Sequence, residues 1–315
     1  MSSLLSFDHD IHAVDANYLR PRLAAVHILR GGGRAALIDT GTQHSVEPTM
    51  AGLAELGIAP DAVDYVILTH VHLDHAGGAG ALMQRLRNAR LVVHPRGAAH
   101  MIAPEKLIAG SIAVYGESAY RQLYGELVPV AAERVETTSD GDRIVCGGRE
   151  LVFLHTPGHA LHHQVIVDRN ARAVFTGDNF GISYRELDVA GKAFVIPTTT
   201  PTQFDPEQFL ASLQRILAEE PNHIYMTHFS QVGEVTRLGR ELRDDVLALA
   251  GFARELAALP DAKARIAAAI AARWRERLAQ HGWQGGDTRF RELLGMDIEL
   301  NTQGLLAWQA RARAG

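Results

Sequence analysis

Residues 69–78 read Thr-His-Val-His-Leu-Asp-His-Ala-Gly-Gly, which places three imidazoles and a carboxylate in six consecutive positions directly behind a β-branched apolar run ending at Leu68. Neutral histidine suits zinc, iron or manganese, and aspartate adds a charged oxygen ligand. His70, His72, Asp74 and His75 therefore make up most of two coordination shells. A cluster of this density, set between a buried-strand pattern and a Gly-Gly helix entry, is far more specific than any single histidine pair.

With 315 residues the chain accommodates one large domain with an accessory segment, or two smaller domains, and either buries a sizeable core. The formal net charge of -5 provides no broad basic field for a phosphate backbone, so nucleic acid is not an expected partner. The single cysteine, Cys146, has no partner for an internal disulfide and sits in a strand-like context, which fits a cytoplasmic home. The start of the chain does not read as a signal peptide, and no run of about 18 apolar residues suggests a membrane span.

Working outward from the cluster, Leu23 to Leu29 and Ala35 to Ile38 read as a hairpin around Gly31-Gly32-Gly33. A helix follows from Ser45 to Leu56, then a strand from Val63 to Leu68 that delivers the histidines, a helix from Ala79 to Leu86 and a strand from Arg90 to Val93. Between Pro95 and Val128 the pattern turns helical and apolar, with Met101, Ile102, Leu107, Ile108, Ile112, Tyr115, Tyr120, Leu123 and Tyr124: an inserted helical hairpin, read either as ordinary packing or as an apolar lid that shapes a substrate pocket. Short strands return at Ile144-Val145, Leu151 to Leu154, Gln164 to Val167 and Ala173 to Thr176. Asp205-Pro206-Glu207-Gln208 then opens a helix to about Glu219, and the strand His223 to Met226 follows. The expected division is a catalytic domain over residues 1–233 and a helical extension over 234–315 packed on it. The stripes Leu242, Val246, Leu249, Ala253, Leu256 and Ile266, Ile270, Trp274, Leu278 face a core or a subunit interface, and a homodimer through these helices is one expectation.

Three later positions share the character of the opening cluster: His159 in Thr-Pro-Gly-His, Asp178 in Phe-Thr-Gly-Asp and His228 in Met-Thr-His-Phe. Each ends a predicted strand, where a rigid scaffold holds loop residues in register. With the first four they make seven candidate ligands.

This ordered set, together with Leu37-Ile38-Asp39-Thr40-Gly41, resembles the metallo-β-lactamase superfamily of hydrolases over roughly residues 20 to 230. The resemblance implies an α+β fold, a four-layer αββα sandwich with a dinuclear site at one edge. It implies two divalent metal ions, zinc first, with iron or manganese according to supply. Carried over residue by residue, it puts His70, His72 and His159 on one metal and Asp74, His75 and His228 on the other, with Asp178 bridging. No cysteine stands at the bridging position, so a β-lactam substrate is not favoured.

Two cations roughly 3.5–4 Å apart activate a water near neutral pH and polarise the attacked carbonyl or phosphoryl oxygen. Asp74 is a candidate proton acceptor, and Asp39 a carboxylate that orients a ligand histidine through its other ring nitrogen. Tyr184, six residues after Asp178, is a candidate donor to a substrate oxyanion, because related lactonases place a tyrosine there. His162 and His163 read as neighbours of the ligands rather than ligands, and His94, His100 and His155 as ordinary packing. The resulting expectation is a hydrolase of an ester-like bond, a lactone, thioester or carboxylic ester, in a small organic molecule. The alternatives are a phosphoester hydrolase, a glyoxalase II-like thioesterase, a persulfide dioxygenase on the same site, or a low-turnover metal-binding sensor. For glyoxalase II no obvious cationic patch for a glutathione carboxylate is present beyond single arginines such as Arg185.

Overall fold

The computed structural model describes residues 4–199 and 203–314, and the side chains of Val114, Tyr115 and Ala314 lie outside what it describes. Strands β1 (Leu4–Phe7), β2 (Ile11–Asp15), β3 (Ala25–Gly31) and β4 (Arg34–Ile38) form an antiparallel meander. From β4 the same sheet continues in parallel through β5 (Val63–Ile67), β6 (Arg90–Val93) and β7 (Val135–Thr137). The second sheet runs in the order β13 (Ser230–Val232), β12 (His223–Met226), β11 (Ala173–Gly177), β10 (Gln164–Asp168), β9 (Arg149–His155), β8 (Arg143–Cys146), with β11 and β12 its parallel pair. The parallel pairs matter for function. β4, β5, β11 and β12 run in the direction that brings Asp39, His70, Asp178 and His228 to carboxyl ends of strands.

Period-2 alternation sorts the strand side chains into layers. Ala36, Ile38 and Ile67 meet Phe153, Ile166, Phe175 and Tyr225 between the sheets. Their neighbours Leu37, Val66 and Leu68 face outward against α1 (Val46–Glu55) and α3 (Ala79–Arg85) through Leu53, Leu82 and Met83. The outer face of the second sheet, with Val165, Val167, Val174 and Ile224, is covered by α7 (Pro206–Ala218) and by the tail helices α8 (Val235–Leu256), α9 (Ala262–His281) and α10 (Gly286–Ala314). Helix, sheet, sheet and helix make the four expected layers. The fourth of the ten described α-helices, α4 (Pro95–Ile102), with α5 (Glu105–Tyr115) and α6 (Glu117–Tyr124), forms the insertion, and α2 (Leu73–Ala76) carries part of the histidine cluster.

The tail stripes are buried within the chain. Leu242, Val246, Leu249, Ala253, Ile266, Ile270, Trp274 and Leu278 are all at most 1% exposed and share a cluster with the second sheet, so the periodicity that suggested a homodimer is accounted for by intrachain packing. A buried Asp245, held by Arg273 and Arg277, ties α8 to α9. β1, β2, β7 and β13 escape a reading of the sequence because none exceeds five residues, too short for a clear pattern.

His27, on β3, is buried against the rings of Phe175 and Tyr225 and lies 3.2 Å from the Ser230 hydroxyl. Burial lowers its pKa to about 4, against a smaller pull upward from Asp39. The folded chain refuses a proton that the unfolded chain accepts near pH 6.5. This contribution is therefore fully present above about pH 7 and is lost as pH falls from about 6.5 towards 4, about 3 kcal/mol in all. Urea unfolding at about pH 7.5 and about pH 5 should show a loss of stability about 2 kcal/mol smaller in His27→Gln than in the parent. Equal losses in the two proteins would show that His27 plays no part.

Candidate metal centre

Asp39 follows β4 in the left-handed region, φ +56°, and its buried carboxylate collects the loops around it. Oδ1 accepts from the Thr69 amide at 2.8 Å. Oδ2 accepts from the Thr227 hydroxyl at 2.7 Å, and the Thr69 hydroxyl reaches both oxygens. Thr69 precedes His70 and Thr227 precedes His228, so one carboxylate sets two ligand-bearing strand ends. Its Oδ2 also pairs with Nδ1 of His75 at 2.8 Å.

Beyond Thr69 the chain turns into α2, with His72 at its N-cap and Asp74 in its first turn. Gly78 is required here by close approach: a Cβ would lie 2.7 Å from the carbonyl oxygens of Thr40 and Thr42. Gly177 plays the same part before Asp178, with φ +49° and a would-be Cβ 2.5 Å from the Thr69 hydroxyl. The Asp178 amide donates to Nε2 of His163, whose Nδ1 lies 3.0 Å from the Thr156 hydroxyl. His163 is thus a buried brace of the Asp178 loop, and its ring stacks on His70. His162 is also buried and its Nδ1 accepts from the Val71 amide at 3.4 Å. His94 caps α4 through the Arg96 amide and packs on His155.

The seven predicted ligands converge as three overlapping groups: His70, His72 and His159; Asp74, His75 and His228; and His70, His75 and Asp178. Within each, the ligand atoms lie within 4.8 Å of one another. Nδ1 of His72 is 2.8 Å from Nε2 of His70 and 3.1 Å from Nε2 of His159. The carboxylate of Asp178 straddles the groups: Oδ2 lies 3.3 Å from His159, and Oδ1 lies 3.4 Å from His75 and 3.7 Å from His228. Asp74 Oδ2 is 3.4 Å from His228 Nε2 and 3.8 Å from His75 Nε2. Two ligands on one tetrahedral cation at ~2.0–2.1 Å sit roughly 3.3 Å apart, so these spacings are those of donors sharing an ion.

The remaining nitrogens hold the rings in place. Nδ1 of His70 meets the Thr69 hydroxyl at 3.1 Å, Nδ1 of His75 meets Asp39, and Nδ1 of His228 donates to the Leu23 carbonyl at 2.7 Å. Nδ1 of His159 donates to the Thr198 carbonyl at 3.3 Å. Each arrangement leaves Nε2 turned inward as the ligand atom. Nε2 of His75 and Oδ1 of Asp178 are buried and make no hydrogen bond, a costly state for polar atoms that a cation relieves.

The electrostatics divide the site in two. Burial holds His72 near 3 and keeps His70 and His159 well below the ordinary histidine range, the neutral form a metal requires. On the other side burial would lower His75, but Asp178, Asp74 and Asp39 outweigh it and push it up to about 10. Burial would raise Asp74, yet His75 and His228 hold it well below the carboxylate range. A pocket with three carboxylates around His75 retains a proton where a cation would sit, and the residues fit bound metal.

Tyr184 is buried and its hydroxyl donates to Asp297 of α10 at 3.2 Å. Asp297 is a site neighbour that a reading of the sequence missed. The available signal was a carboxylate on the buried stripe Phe290, Leu294, Asp297, Asn301, Leu305. Arg185 bonds the carbonyls of Ser183 and Gln231 and pairs with Asp188 at 3.4 Å, which commits it to its own loop. Tyr120 and Tyr124 of the insertion belong to the same buried apolar cluster as Tyr18, Leu23, Tyr184 and Leu73, the residue between His72 and Asp74. Leu107, Ile108, Ile112 and Leu123 pack against it. No described helix is long and apolar enough to cross a membrane.

The sequence model described as the metallo-beta-lactamase superfamily matches residues 19–228. The chain is similar to the metallo-beta-lactamase fold-containing protein ST1585 of Sulfurisphaera tokodaii, 28% identical over 224 residues, 69% of this chain and 77% of that protein. It is similar to a hydroxyacylglutathione hydrolase of Xanthomonas euvesicatoria pv. vesicatoria, 28% identical over 201 residues, 64% of this chain and 58% of the relative. It is also similar to the acyl-coenzyme A thioesterase MBLAC2 of Gallus gallus, 27% identical over 165 residues, 49% of this chain and 57% of the relative. The matches span less than two thirds of the length of these two enzymes. The solved structure of ST1585 shares the fold with a TM-score of 0.68 at 24% identity, covering 94% of this chain and 98% of that one. The family match takes in all seven clustered side chains, from His70 to His228, and the chain belongs to the metallo-beta-lactamase superfamily.

Proposed function

We propose that this chain is a hydrolase with two divalent metal ions, most simply zinc, that cleaves an ester-like bond, a lactone, thioester or carboxylic ester, in a small organic molecule. The observation that carries the reading is the Asp178 carboxylate, set with one oxygen toward His159 and the other toward His75 and His228, the arrangement of a bridging ligand. The names of the two enzyme relatives, both thioester hydrolases, support the ester class. Two metals so held supply a water that ionises near neutral pH and an electrophile for the carbonyl oxygen.

The protein's own groups do the rest. His70, His72 and His159, held neutral by burial, would hold one metal, and Asp74, His75 and His228 would hold the other. Among the ligands only His72 and Asp74 are more than slightly exposed, so substrate reaches the site on their side. Asp74, at that opening and partly free of hydrogen bonds, is placed to take a proton from the attacking water and return it to the leaving group. The tyrosines and aliphatic lid residues around Leu73 exclude water from the acyl portion. Because Arg185 is engaged by Asp188, it is not a ready clamp for a glutathione carboxylate, and substrates without glutathione are favoured.

Zinc-loaded protein should hydrolyse members of a panel of 4-nitrophenyl esters, γ-lactones and acyl-coenzyme A thioesters well above bis(4-nitrophenyl) phosphate. Cleavage of the phosphodiester alone would sink the ester reading. Asp178→Ala should retain about one metal ion per chain or fewer and lose hydrolysis, since the shared ligand is gone. Asp39→Ala, which leaves every ligand present, should weaken metal affinity by about 10- to 100-fold in a competition titration. Unchanged affinity would show that the carboxylate only closes a turn.

A further inference from the structure

The segment that follows Asp178 is held from both sides. The Ser183 amide donates to the His228 carbonyl at 2.5 Å, and the Phe229 amide donates to the Ser183 carbonyl at 3.2 Å, which joins this segment to the His228 loop. From the opposite side the helical tail grips it repeatedly. Trp283 Nε1 donates to the Glu186 carbonyl at 2.9 Å, Arg277 to the Val195 carbonyl at 3.0 Å, and Thr199 donates its hydroxyl to the Asn301 carbonyl at 3.0 Å.

At the centre of this clamp stands the Tyr184 phenol. Its ring lies under the Arg20 guanidinium, 4.4 Å from Cζ to the ring centre, and Arg20 is paired with Glu186 at 2.5 Å. Its hydroxyl meets Oδ1 of Asp297, a carboxyl 6% exposed on a buried helix face shared with Phe290, Leu294, Asn301 and Leu305. Oδ2 of Asp297 is buried with no hydrogen-bond partner. Such a group is expensive to keep in a core, and replacing it by an apolar residue of similar size would ordinarily help stability. The cost makes sense if the carboxyl has work to do at Tyr184. The pair is also within electrostatic reach of the centre: burial raises Asp297 to about 7 while His228 pulls it down, and Asp178 adds to the upward shift of the Tyr184 phenol that burial and Asp297 produce.

We propose that Asp297, delivered by α10, is a positioning residue for hydrolysis: it fixes the Tyr184 phenol at the rim of the metal centre, where the phenol can turn its proton to the substrate oxygen. The helical tail is then a working part of the site. This rests on the ester-hydrolase reading above, with Tyr184 as the group that touches substrate. A protonated Asp297 donates to the phenolic oxygen and frees the phenolic proton. An ionised one accepts that proton and holds the ring between turnovers.

The test compares Tyr184→Phe, Asp297→Leu, Asp297→Asn and the Tyr184→Phe/Asp297→Leu double variant as zinc-loaded full-length chains, on the best ester or thioester of the panel. Tyr184→Phe and Asp297→Leu should each lower kcat by about 10- to 100-fold, with KM and zinc content little altered. The double variant should be no slower than Tyr184→Phe, because the carboxyl acts through the phenol. Asp297→Asn, which still offers an oxygen to the phenol, should recover most of the loss, and Asp297→Ala replaces the leucine variant if that one fails to fold. Losses that multiply in the double variant, or a leucine variant as fast as the parent, would overturn the proposal.

A readout without turnover separates this from the functional reading. In protein carrying 3-fluorotyrosine at its seven tyrosines, the resonance lost in Tyr184→Phe should shift when zinc is added to the parent and not in Asp297→Leu. No shift in the parent overturns the positioning role whatever the panel shows. A shift with no hydrolysis of any ester overturns the ester reading and leaves the placement of Tyr184 standing.

Discussion

The site depends on one buried carboxylate that stands outside the three candidate ligand groups. Asp39 receives the Thr69 amide, the Thr69 and Thr227 hydroxyls and the Nδ1 of His75, and so gathers the ends of β4, β5 and β12 around a single charge. A buried carboxylate is tolerable only when its lone pairs are met, and here each donor that meets one also fixes a ligand or the residue before one. The stability of the charge and the geometry of the centre are therefore the same set of hydrogen bonds.

That arrangement explains why the two halves of the centre differ. His70, His72 and His159 lie where burial dominates, and their rings stay neutral without help. His75 lies among Asp178, Asp74 and Asp39, and His228 beside Asp178 and Asp74, and these carboxylates raise both imidazoles above their ordinary value against the pull of burial. A cation on the carboxylate side would therefore displace protons that the all-histidine side does not carry.

Much of this was legible in the chain because the chemistry is local in sequence. The run from His70 to His75 lies in one turn, and His159, Asp178 and His228 each end a strand, so residue type and strand pattern together marked all seven side chains that the structure gathers. The layers were legible for the same reason: Leu37 and Ile38 alternate cleanly between two cores. What could not be read were relations across distance. Asp39 and Thr227 are 188 positions apart, and Tyr184 and Asp297 are 113 apart; nothing in either neighbourhood announces the other. His163 looked like an afterthought to His159, yet its ring lies flat on His70 and takes the Asp178 amide. The tail misled in a different way, since an apolar stripe records that a face is covered but not by what. Here the cover is the chain's own second sheet.

The tail's packing also bears on specificity. In a sandwich whose metal ligands all sit on strand ends, the ligand loops are rigid and similar from one relative to another, and discrimination falls to what surrounds them. This chain builds that surround from two elements remote in sequence: the α4–α6 insertion, which brings Tyr120 and Tyr124 against Tyr18, and α8–α10, which grip residues 184–199 through Trp283, Arg277 and Asn301. One supplies an apolar, aromatic wall. The other supplies the polar Tyr184–Asp297 pair. On the ester-hydrolase reading proposed above, a substrate would present its apolar acyl portion to the wall and its carbonyl toward the phenol.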